Sequence, residues 1–180
     1  MEAPKRKSIS PPVYQCRIFS VYEDDVRLPD GRVVRQTRIE HKPTVSIVPV
    51  DAHGDLIMLR QYRSAIDRYL LEIPAGTMDK GKESVEECAQ RELAEETGFK
   101  AGRLLKLFEG YLVPGYCNEY MYFYLACELK EEPLPADDDE IIELVRISMV
   151  DALNMIKNGE IIDSKTALGI LMARETMASS

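Results

Sequence analysis

Between Glu83 and Phe99 the chain reads ESVEECAQRELAEETGF, with helical hydrophobic spacing, no proline, and six glutamates against one arginine. A helix this acidic can lie on a core only if its charge is sorted by face. Ser84 followed by Glu87 forms a capping-box pattern, and Gly98 suits the left-handed residue that ends a helix, so a helix is predicted over Val85 to Thr97. With Val85 at zero and about 100° per residue, Cys88 falls near about 300°, Ala89 near about 40° and Leu93 near about 80°, which is the buried stripe. Glu92, near about 340°, and Glu96, near about 20°, lie inside that stripe, with Glu95 at its border near about 280°. Glu86 and Glu87 point away.

Removing a carboxylate from water costs several kcal/mol unless a positive charge meets it. Arg91, near about 240°, lies off this face and is not expected to neutralise both inward carboxylates. Clustered hard oxygens without Cys or His suit Mg²⁺, with Mn²⁺ as the variant, rather than zinc. A solvated acidic surface helix accounts for Glu86 and Glu87, but not for Glu92 and Glu96.

The rest of the chain sets the frame around this helix. Its 180 residues suit one domain, and a net charge of −8 disfavours nucleic acid as a partner. Residues 1–12 hold Lys5, Arg6 and Lys7 among serines and prolines, the composition of a disordered leader. The four cysteines are too scattered for a zinc site or a disulfide framework, and no stretch has the length of a spanning helix or a signal peptide, which points to a cytoplasmic protein without membrane contact. Strand-like runs flank Pro29-Asp30-Gly31 as a hairpin within 13–41. From residue 42 to 180 come two central strands around Asp51 to Asp55, a short strand in YLLEIPAG stopped by Pro74 and Gly76, and two or three strands after the helix. The acidic loop EEPLPADDDE, a last strand in IIELVRIS and two closing helices follow, one ending near Gly159 and one from about Lys165 to Met177. This order predicts an α/β fold, an α/β/α sandwich on a mixed sheet with an N-terminal β-hairpin extension.

Gly76, Glu83 and RELAEETGF from Arg91 to Phe99 resemble the Nudix box, and LEIPAG, RQYR, Pro114 and the acids before IIELV are similar to its ADP-ribose pyrophosphatase branch. The resemblance implies Mg²⁺-dependent hydrolysis of ADP-ribose to AMP and ribose 5-phosphate, or of another nucleotide sugar such as GDP-mannose. It also implies that Glu92, Glu95 and Glu96 ligate metal with the Ala75 carbonyl, that Arg91 steadies them through Glu83, and that Glu95 and Arg91 are tied to catalysis. Glu140 resembles the residue that activates water, with Asp138, Asp139 and Glu143 as alternatives; Arg63, Glu72 and Glu119 resemble substrate-side residues. In this branch the segment before the sandwich exchanges between subunits, which implies a homodimer built through 13–41. One departure from the box stands out: Gly76 and Glu83 enclose six residues, Thr77 to Lys82, one more than usual. A sensor that binds ADP-ribose without cleaving it is the rival from another class, against which the intact Glu92, Glu95 and Glu96 speak.

Overall fold

The computed structural model describes residues 11–135 and 141–179. The N-terminal segment makes its own antiparallel sheet of β1 (Tyr14–Gln15), β2 (Phe19–Arg27) and β3 (Val33–His41). Its hairpin turns at Pro29-Asp30-Gly31, where Gly31 takes φ 88°. The sheet is tied to the rest by Ile39, whose N–H donates to the Tyr116 carbonyl at 2.7 Å while its carbonyl accepts from Asn118 N at 3.2 Å.

β4 (Thr44–Pro49) is buried throughout, as its unbroken apolar run predicts. β5 (Asp55–Arg63) and β6 (Arg68–Glu72) follow. In YLLEIPAG the strand stops ahead of Pro74, as expected, but Gly76 lies inside a further strand. The chain leaves β6 at Glu72, crosses Ile73 and Pro74, and re-enters strand geometry as β7 (Ala75–Thr77), antiparallel to β4. Pro74 has no N–H to give a ladder, but its carbonyl accepts from Ile47 N at 2.8 Å, which hands the chain from one sheet to another.

α1 (Val85–Thr97) comes next, then two strands, β8 (Phe99–Tyr111) and β9 (Tyr120–Glu131), and finally β10 (Ile142–Ser148), α2 (Met149–Asn158) and α3 (Ser164–Ala178). One sheet runs β7-β4-β9-β8 and is mixed, since β4 and β9 are parallel; the other runs β10-β5-β6 and is antiparallel. β4 therefore carries two cores. Val45 and Ile47 pack under Cys88, Ala89 and Leu93 of α1, while Val48 and Val50 on the opposite face pack with Ala152 of α2 and Ile170 and Ala173 of α3. Helices on both faces of a mixed sheet are the expected sandwich.

Candidate active site

α1 is fixed at both ends. Ser84 Oγ accepts from Glu87 N at 3.2 Å, Glu87 Oε2 accepts from Ser84 N at 2.7 Å, and Gly98 closes the helix at φ 77°. With the register set, Glu96 is 8 % exposed, and the side chains of Glu92 and Glu95 are 12 % and 14 % exposed. Glu86 and Glu87 lie on the exposed face.

Of the two inward carboxylates Arg91 meets one, Glu92, together with Glu95 at the border. Its guanidinium swings to the inward edge, where Nη1 donates to Glu92 Oε1 at 2.7 Å and to Glu95 Oε2 at 2.8 Å. A wheel records where the Cβ points, and a long side chain carries its charge well away from that direction. Nε and Nη2 of Arg91 also grip Glu83 at 3.0 and 2.9 Å, so Glu83 anchors the arginine. This contact holds Glu83 against the helix, and the loop before it turns at Gly81–Lys82, where Gly81 takes φ 76° in open space.

β7 faces this edge of α1. Ala75 N donates to Glu96 Oε2 at 3.0 Å, and a Cβ at Gly76 would fall 1.9 Å from the Glu92 carboxyl carbon, so only glycine admits Glu92 there. Lys80 donates to Glu95 Oε1 at 2.9 Å. Burial pushes the Glu92 carboxyl up to about 7, against the opposing pull of Arg91, whereas Arg91 holds Glu83 below the usual carboxylate range despite partial burial.

Ala75, Gly76, Asp79, Lys80, Arg91 and the three inward-edge glutamates line one cleft, joined by Arg17 from the N-terminal segment. Among the described residues no three acidic, His or Cys groups converge as a ready-made metal cage, Glu92 and Glu95 being engaged by Arg91 and Lys80. The donors nevertheless fit a hard divalent cation. They are all carboxylate oxygens, one of them sits against a glycine with no room for a side chain, and that same carboxyl is held back from ionising by its burial.

A second cleft adjoins the first across Ala75 and Gly76 and is lined by Arg63, Glu72, Glu119, Thr44 and Lys165. Glu72 is buried, and Arg63 grips it with Nε and Nη2 at 2.7 and 2.6 Å. Glu119 Oε1 accepts from Thr44 Oγ1 at 3.0 Å. Of the expected residues, then, Glu92, Glu95, Glu96, Arg91, Ala75 and Gly76 meet at one cleft, with Glu83 bonded to Arg91, and Arg63, Glu72 and Glu119 meet at its neighbour. Glu140, Asp138 and Asp139 lie outside the described residues. Glu143 stands on β10, paired with Arg60 at 3.3 Å on an exposed face. Lys80, Arg17 and Lys165 were not foreseen, since each is an ordinary surface-type cation in sequence.

The class this architecture defines is an α/β/α sandwich in which an acid-edged helix and a cation-bearing pocket meet at one glycine strand. Residues 40–167 match the NUDIX domain, and the chain belongs to the NUDIX family, as a hydrolase. It is 36% identical over 160 residues to an ADP-ribose pyrophosphatase of Bacillus subtilis (strain 168), covering 88% of this chain and 86% of that one. A methanol dehydrogenase activator of Bacillus methanolicus is 32% identical over 160 residues, with the same coverage. A crystal structure of an ADP compounds hydrolase superposes with a TM-score of 0.83 at 27% identity, covering 97% of this chain and 98% of the other.

Proposed function

We propose that this chain hydrolyses the diphosphate of ADP-ribose, releasing AMP and ribose 5-phosphate. The observation that carries this reading is the joining of the two clefts at β7: the inward-edge glutamates stand on one side of Gly76, and Arg63 stands on the other. A diphosphate lying across the glycine reaches both. The similarity to an ADP-ribose pyrophosphatase over most of both chains supports ADP-ribose as the ester.

Glu92, Glu95 and Glu96, with the Ala75 carbonyl, would hold Mg²⁺ or Mn²⁺. When bound there, such an ion offsets diphosphate charge and makes a coordinated water more acidic. The protein supplies the rest. Arg91, braced by Glu83, keeps Glu92 and Glu95 aimed at the cleft. Arg63 orients the diphosphate, and Glu119 lies on the substrate side. A carboxylate, Glu140 or one of the helix glutamates, takes the proton of the attacking water; its oxygen bonds to phosphorus as the anhydride oxygen leaves. The strands of residues 13–41 form a separate sheet with Val13, Tyr14 and Val33 exposed, which supports their use in a homodimer; a monomer by light scattering would contradict that assembly.

A nucleotide-sugar panel with Mg²⁺ tests the substrate. The highest kcat/KM is expected for ADP-ribose, with AMP as product. A clear preference for GDP-mannose would replace the substrate assignment, and tight ADP-ribose binding without turnover would indicate a sensor.

A further inference from the structure

Lys165 stands in the second cleft on the first turn of α3, far from Glu72 in sequence, and its ammonium bonds the same buried carboxylate that Arg63 grips. We propose that Lys165 is a positioning residue for the diphosphate site: by sharing Glu72 with Arg63 it fixes the guanidinium at the cleft wall and makes the start of α3 part of substrate recognition. This rests on the hydrolase reading above.

Three observations carry it. First, the site of Lys165 is fixed by its surroundings. Asp163 caps α3 by accepting from Thr166 N at 3.0 Å, and it also accepts from Lys165 Nζ at 2.7 Å. Thr166 Oγ1 in turn accepts from Ile73 N at 3.0 Å, one residue after Glu72. Second, α3 comes unusually close to that segment. A Cβ on Gly169 would lie 2.6 Å from Ile73 Cδ1 and 3.2 Å from Val48 Cγ2, so glycine permits the approach that brings the ammonium to Glu72. Third, the charges sum to a purpose. Glu72, with a side chain 2 % exposed, is too enclosed to be satisfied by bulk water, and two cations share it. Arg63, with a side chain 39 % exposed, thus holds a fixed plane while remaining open to the cleft. Without Lys165 the cluster of Arg63, Glu72 and Asp163 turns net negative, which repels an anionic diphosphate and leaves Glu72 to draw on Arg63 alone.

The test compares wild type with Lys165→Met and Lys165→Arg in the full chain, by steady-state kinetics on ADP-ribose with saturating Mg²⁺ and by calorimetric affinity for ADP. Lys165→Met is expected to raise KM and the Kd for ADP about tenfold while kcat stays within about threefold. Mn²⁺ affinity at the glutamate cleft should not move, and arginine should restore substrate affinity. A folded Lys165→Met with KM and ADP Kd within twofold of wild type, or a defect that arginine leaves in place, overturns the proposal. Should the methionine variant fail to fold, Lys165→Gln decides: it keeps a hydrogen-bond donor for Glu72 but removes the positive charge, and KM should rise severalfold; no rise overturns the proposal. A wild type that leaves ADP-ribose intact defeats the hydrolase reading instead, and the ADP affinities then still decide the role of Lys165.

Discussion

Replacing Glu92 by Gln separates what this site costs the fold from what it gives the chemistry. The carboxyl is raised from an ordinary 4.5 to about 7, chiefly by burial. Because the folded value lies above the unfolded one, the penalty is nearly absent below pH 4.5, grows as pH rises, and is complete above pH 7. At about 1.4 kcal/mol per pH unit, keeping Glu92 ionised at pH 8 costs the metal-free protein about 3 kcal/mol, against about 1 kcal/mol at pH 5. Glutamine keeps the shape and still offers an oxygen to Arg91, whose grip on Glu83 is untouched. Weakening one charged hydrogen bond gives back about 1 kcal/mol. Glu92→Gln should therefore be more stable than wild type by about 2 kcal/mol at pH 8 without metal, with little or no gain at pH 5, while ADP-ribose turnover falls at least about a hundredfold. Urea unfolding followed by circular dichroism at the two pH values measures the difference. A variant less stable than wild type at pH 8, or a gain equal at both pH values, would refute the claim that ionised Glu92 is held against its preference.

Gly76→Ala places a methyl where the Glu92 carboxyl now sits, so it should abolish most activity and Mn²⁺ binding while the secondary structure seen by circular dichroism survives. Gly169→Ala should destabilise the protein by about 1–3 kcal/mol, measured by urea unfolding, because buried Ile73 and Val48 stand too near to yield freely. Glu72 runs the opposite way from Glu92: burial raises it, but Arg63 and Lys165 outweigh burial and hold it below 4.5. Its contribution is thus present above pH 4.5 and lost as pH falls through the lowered value, so Glu72→Gln should flatten the acid limb of a stability-against-pH curve.

The parts of this fold that could be read from sequence are those decided locally. The span of α1 follows from Ser84, Glu87 and Gly98 within one helix, and the inward Glu92 and Glu96 follow from its period. β7 escaped because three residues after a proline carry no strand signal of their own; their strand geometry comes from pairing with Thr44, Val45 and Ser46 across the chain. That Arg91 reaches Glu92 and Glu95 is not legible from the wheel, because the reach of its side chain, not its backbone angle, decides its partners. Lys165 was invisible for a different reason. Its partner Glu72 is brought near only when α3 docks through Gly169, a contact between segments with no common sequence pattern.

On the proposed function, the glutamate edge of α1 serves the hydrolysis of a nucleoside diphosphate linkage. The direct measurement is AMP released from ADP-ribose with Mg²⁺, by wild type and by Glu96→Gln, at equal folded concentration. Wild type should turn over and the variant should be slower by at least about a hundredfold. Equal AMP release by the two would contradict the claim.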